Sequence, residues 1–153
     1  MDCELASIIR FVLDAAPEGA AAYYYRVKQG FRTPGIFFPA PEFMTSGDTL
    51  SSYRLEYSWY IVVFGQDDAE AYAIAHGIAD ALMRSHALVP LVDGNGEYTG
   101  EGLRLREPRV ELIDRESAGG TAQLTLRWNS YRPYYERDVQ KMEEFILNYT
   151  HDG

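Results

Sequence analysis

The chain has 153 residues, 46% hydrophobic and 14% aromatic, and sets 23 Asp and Glu against 14 Lys and Arg for a formal net charge of -9. That length fits one domain, residues 1–153, burying about 68–70% of its unfolded surface, and the acidic balance argues against general adhesion to DNA, which runs on Lys and Arg neutralising phosphates. A single cysteine, Cys3, excludes an internal disulfide; no apolar run approaches the roughly 20 residues that span a bilayer, and acids stand where a signal peptide carries Lys or Arg, so a soluble cytosolic protein is expected.

In ELASIIRFVLDAA, Leu5, Ile8, Ile9, Val12 and Leu13 recur at the spacing of one helix face, with Glu4, Ser7, Arg10 and Asp14 outside it. Asp2 can cap this helix, and Pro17 with Gly19 marks its end. From Tyr23 to Phe38 aromatic and β-branched residues dominate, broken by Gly30, Pro34 and Gly35, which predicts strand, turn, strand. The Pro- and Gly-bearing PAPEFMTSGD reads as a loop. In SYRLEYSWYIVVFG, Tyr53, Leu55, Tyr57, Trp59, Ile61 and Val63 share one face of a long strand; the other face starts polar at Arg54, Glu56 and Ser58 and turns apolar at Tyr60, Val62 and Phe64, as if covered there.

A second helix follows in DDAEAYAIAHGIADALMRSHA, opened by Asp67 and Glu70 as a capping box and carrying Ile74, Ile78 and Leu82 at four-residue spacing. The glycine-rich DGNGEYTGEG reads as a solvent loop, and LRLREPRVELID and TAQLTLRWNSY alternate as two strands. DVQKMEEFILNY closes the chain as a third amphipathic helix. Strands joined by short turns are mostly antiparallel and three helices need an apolar surface to cover, so the expected fold class is α+β, a mainly antiparallel sheet flanked by about three amphipathic helices.

The chemistry-bearing residues form no site signature. His76, His86 and His151 lack metal-ligand spacing, and Cys3 has no His near it in sequence. The run GNGEYTGEG contains acids and no Lys, and the segment after it alternates like a strand, so the context of a phosphate loop is missing. Asp93, Asn95 and Glu97 have the alternate spacing of a calcium loop, but Tyr98 stands where the sharp turn needs Gly and Arg104 where the bidentate Glu belongs. Neither catalytic residues nor a metal or cofactor is expected.

The early amphipathic helix, the Tyr25, Arg26 and Gln29 pattern, the strand GIFFP, the long YRLEYSWYIVVF strand, the Ala-rich helix and the alternating final strands together resemble tail-terminator or tail-completion proteins of long-tailed phages and prophages. The resemblance spans nearly the whole chain and rests on residue types rather than invariant letters. It implies a virion assembly protein without an enzymatic role. Such a protein forms a ring, typically a hexamer, on the head-proximal end of the tail tube, stops tube growth and offers a joining surface to the head. The implied partners are further copies of the chain, the tail-tube protein and a head-connector protein, with DNA passing through without specific binding and no membrane contact. The implied location is the virion neck, and the host cytoplasm during assembly.

Rival readings are another neck or head-completion connector, a small carboxylate-dependent enzyme, and a nucleic-acid module centred on Arg26, Lys28 and Arg32. Strand alternation from Tyr23 would put Tyr24, Arg26 and Lys28 on one exposed face, opposite Tyr23 and Tyr25. With Arg32 and Phe37 these form the candidate subunit or partner interface, fitted to an acidic patch on a neighbour rather than to DNA. The run Asp93 to Gly102 finds no counterpart role in the resemblance.

Overall fold

The computed structural model describes residues 3–26, 30, 32–113 and 119–135. In chain order the elements are α1 (Cys3–Ala15), β1 (Ala21–Tyr24), β2 (Gly35–Phe38), β3 (Glu42–Gly47), β4 (Ser52–Gly65), α2 (Asp68–Arg84), β5 (Leu88–Val92), β6 (Tyr98–Arg104), β7 (Arg109–Leu112) and β8 (Gly120–Pro133). The class is α+β. The expected third helix and the Asp2 cap lie outside the described residues.

Two strands of 14 residues, β4 and β8, form the spine, antiparallel from Ser52↔Pro133 to Gly65↔Gly120. Their β-branched and aromatic composition suits a pleated surface, and register places Trp59, Ile61 and Val63 opposite Leu126, Leu124 and Ala122 on one buried face. On that face pack Ile8, Ile9 and Val12 of α1, and Ala71, Ala75, Ile78 and Leu82 of α2, in one core. The opposite face of β4 buries Val62 and Phe64, as its change of polarity predicts. The six-stranded sheet runs β1-β2-β4-β8-β7, with β3 sharing the β2 side of β4, while β5 and β6 make a separate two-stranded sheet.

Four expectations about the strands are corrected. β1 pairs with β2 in parallel, Ala21↔Gly35 through Tyr24↔Phe38, because the chain between them returns to the starting end instead of reversing in a hairpin. Within PAPEFMTSGD, Glu42–Gly47 is a strand, since the polar half of β4 offers it an open edge from Ser58 to Tyr53. Tertiary pairing outweighs local composition there. The glycine-rich run is loop only over Asp93–Glu97; from Tyr98 it pairs with β5. The segment LRLREPRVELID in turn divides at residues 105–108 between β6 and β7, which belong to different sheets.

The outward-facing assignment of Ser7 and Glu4 is corrected as well. Ser7 is buried; its hydroxyl donates to the Cys3 carbonyl at 2.6 Å and accepts from the Val92 amide at 2.9 Å, fastening β5 to α1. The Glu4 carboxylate accepts from Trp128 Nε1 at 2.9 Å and from Ser130 Oγ at 2.7 Å, so these two polar groups of β8 are satisfied by α1. At the start of α2, Asp67 Oδ1 accepts from the Glu70 amide at 2.8 Å and Glu70 reaches back to the Gln66 amide at 3.1 Å, the predicted cap with its return bond displaced by one residue. Gly120 is required by this junction, because a Cβ there would lie 1.9 Å from the Asp67 carbonyl.

Candidate assembly surfaces

The predicted interface divides. β1 ends at Tyr24: Tyr25 adopts a left-handed φ of 62° and the Arg26 amide turns back onto the Tyr24 carbonyl at 2.6 Å. Strand alternation therefore stops before it can align Arg26 with Tyr24. Arg26 and Arg32 are exposed, Lys28 lies outside the described residues, and half-buried Phe37 pairs with Val62 on the face opposite Tyr24. Tyr24 belongs to the core side, stacked on buried Phe38 at 5.7 Å and 16°. Tyr24 and Phe37 lie on opposite faces, and the alternation expected to align Arg26 with Tyr24 ends at Tyr25; the part of that face expected at Lys28 lies outside the described residues.

The fold builds instead a row of aromatic rings across the helix-covered face of the sheet. From Tyr24 it passes through Phe38, Trp59, Trp128 and Tyr57 to Phe43, with neighbouring centroids between 4.9 and 6.0 Å apart. The inner rings are buried or half-buried, whereas both ends, Tyr24 and Phe43, are exposed. Contacts of this kind add roughly 0.5–1.5 kcal/mol each beyond area burial, so the row ties two exposed aromatic positions to the rigid centre.

At the Phe43 end, β3, the turn after it and the end of β8 carry an exposed apolar set. Phe43 and Met44 are 58% and 69% exposed, Leu50 at the β3–β4 turn is fully exposed, and Tyr131 and Tyr135 stand out beyond it. Among the described residues β3 is bonded to β4 on one side only, and Glu42 is the one charged residue in EFMTSG. Edge strands in monomers are usually blunted by charge, Pro or a bulge. This one presents backbone donors and acceptors beside large apolar side chains, the material of a strand-mediated contact between proteins.

Behind β8 lies an open groove of about 1220 Å³ lined by Arg104, Arg106, Arg109 and Arg127, with Glu4 and Ser130 also on its wall. The α2 terminus shapes one side: His86 and Ala87 both take φ of 57°, turning the chain into β5, and the His86 carbonyl accepts from Arg104 Nη1 at 3.1 Å. The Arg106 amide bonds to the Arg127 carbonyl at 2.7 Å, joining two of the arginine-bearing segments. Among the described residues no carboxylate lies within 4.0 Å of any of these four guanidinium groups. Sequence reading did not single out this cluster. The crowding of three arginines into LRLREPR in an acidic chain was the available signal, but the fourth, Arg127, arrives only through sheet pairing.

The turn Asp93–Glu97 is braced by its own side chain. Asp93 Oδ1 accepts from the amides of Asn95 and Glu97 at 2.9 and 3.0 Å, and Arg10 holds the turn to α1 through the Gly96 carbonyl at 2.6 Å while its guanidinium lies 4.6 Å above the Tyr98 ring. Among the described residues no three His, Cys, Asp or Glu side chains are grouped for a metal ion, and no helix is long and apolar enough to cross a membrane.

No protein-family model matches the chain. It is 26% identical over 148 residues to the phage-like element PBSX protein XkdJ of Bacillus subtilis (strain 168), covering 97% of each chain. It is also 28% identical over 141 residues to the uncharacterized protein YqbJ of the same strain, covering 92% of each. End-to-end similarity of this kind makes the chain a homologue of a phage-element protein, consistent with the resemblance to tail-completion proteins read from its sequence.

Proposed function

We propose that this chain is a structural assembly protein of a phage or prophage tail, which closes into a ring on the head-proximal end of the tail tube. On this reading the ring ends tube growth and provides the surface to which the head is joined. The observation that carries it is the edge strand β3, paired on one side among the described residues, with Phe43, Met44 and Leu50 beside it, because strand edges and exposed aromatics are what one subunit needs to engage another. The similarity to a protein of a phage-like element over 97% of both chains supplies the biological setting. A ring requires a contact in which one patch meets a different patch on the neighbour, and the β3 edge, unpaired among the described residues, can serve as one of the two. Termination follows when one ring face matches the tube subunit and the other admits no further tube subunit. The partners on this reading are further copies of the chain, a tube protein and a head connector, met in the host cytoplasm and retained in the virion neck.

The test combines light scattering, negative-stain microscopy and tube polymerisation. Closed rings that bind one end of purified tail tubes and halt their elongation are expected. A protein that stays monomeric at high concentration and leaves tube growth unchanged refutes the proposal. Rings that bind an isolated portal or connector but not the tube would transfer the role to another neck component.

A further inference from the structure

We infer that the arginine groove behind β8 receives the acidic β5–β6 turn of a second copy of the chain, so that subunits associate head to tail by charge. The inference rests on the ring reading and specifies its contact. Arg104, Arg106, Arg109 and Arg127 line one groove, all exposed and, among the described residues, without a carboxylate partner. The Glu4 carboxylate on the same wall is engaged by Trp128 and Ser130, which leaves Glu107, among the described residues, as the acid opposing the four cations there. In a chain of net charge -9, such a concentration of unpaired cations favours an acidic occupant.

The β5–β6 turn supplies one. Asp93 and Glu97 bracket it; Glu97 is exposed, and neither forms an ion pair among the described residues. The turn is already ordered by the Asp93 side chain and by Arg10, so little conformational entropy opposes its docking.

The two patches cannot meet within one subunit. Gly102 and Arg104, at the far end of β6, line the groove, whereas Glu97 precedes the start of that strand. The length of the strand separates its ends by roughly 20 Å, and Arg10 pins the turn to α1. Complementary patches at opposite ends of one strut describe a heterologous contact, the geometry that closes rings. Duplex DNA is the less suited occupant, since Glu107 and the overall acidity oppose a phosphate backbone.

A pair of charge-reversed chains tests this. In one, Arg106→Glu and Arg127→Glu make the groove acidic; in the other, Asn95→Lys and Glu97→Lys make the turn basic. All four side chains are exposed, and circular dichroism with thermal melts verifies that both variants fold. Each alone is expected to associate at least about tenfold more weakly than wild type at low salt. Mixed, they are expected to assemble again, because each groove then faces a turn of opposite charge. If wild type forms rings and both variants form them equally well, the inference falls while the ring reading stands. If wild type stays monomeric at high concentration, both fall. Loss of assembly in each variant without recovery on mixing also overturns the pairing, and salt-sensitive DNA binding abolished in the groove variant alone would assign the groove to nucleic acid.

Discussion

Glu4→Ala is the most informative single change in the body of the protein. The wild-type carboxylate accepts from Trp128 Nε1 at 2.9 Å and Ser130 Oγ at 2.7 Å, and both donors are on residues no more than 4% exposed. A hydrogen bond to a charged group contributes about 1.5–3 kcal/mol, and its loss strands a buried donor. Two such bonds give an upper range of roughly 3–6 kcal/mol. Glu4 is only half-buried and borders the open groove, so water can reach part of the vacated space. That relief brings the expected loss to about 2–3 kcal/mol. Glu4→Gln keeps an acceptor for the indole, and its amide can donate to the Ser130 oxygen, so the cost falls to about 1 kcal/mol for the lost charge assistance.

Urea unfolding followed by tryptophan fluorescence measures this directly, with a lower midpoint and an unchanged slope expected. In a Ser130→Ala background the effect of Glu4→Ala should shrink by about 1 kcal/mol, because one of the two bonds is already gone. A Glu4→Ala variant within about 0.5 kcal/mol of wild type would refute the reasoning, as would a Gln variant as damaged as the Ala one.

Ser7→Ala leaves the Val92 amide buried without its acceptor and should cost about 1–3 kcal/mol, with faster hydrogen exchange at Val92 as the local readout. Asp67→Ala removes the cap of α2 and should lower stability by about 1 kcal/mol, a fall of roughly 2–4 °C in Tm for a chain of this size. Gly120→Ala should prevent soluble expression or cost more than about 3 kcal/mol, since its Cβ would lie 1.9 Å from the Asp67 carbonyl; a normally folded, equally stable variant would show that this junction relaxes freely.

Most of the scaffold was legible because its signals are local. The four-residue spacing of Ile74, Ile78 and Leu82, the Asp67 and Glu70 cap, and the alternation from Tyr53 to Val63 each specify an element without knowledge of its neighbours. β3 was not legible, because EFMTSG has little strand character of its own and owes its state to the polar half of β4. Ser7 and Glu4 were misread for a related reason: both are polar on an amphipathic helix, but their partners, Val92 and Trp128, lie 85 and 124 residues away. The interface expected at Tyr24, Arg26 and Lys28 assumed that a strand continues while its residues favour strands, and the left-handed turn at Tyr25 ends it. The arginine groove combines three residues close in sequence with a fourth brought in by sheet register.

An exposed edge such as β3 also raises the question of why identical chains do not pair along it indiscriminately. Net charge answers in part: two copies at -9 repel at long range, and this repulsion opposes most orientations of encounter. The arginine groove makes one orientation different, because there an acidic neighbour is attracted rather than repelled. Such steering can bring a short-range strand contact into register before the backbones touch. Salt then acts on both terms. It screens the general repulsion over a Debye length of about 10 Å at 0.1 M and weakens the groove contact as well. Ordered association should therefore fall as salt rises while irregular pairing through β3 gains ground, a divergence that separates oriented assembly from simple stickiness of the edge.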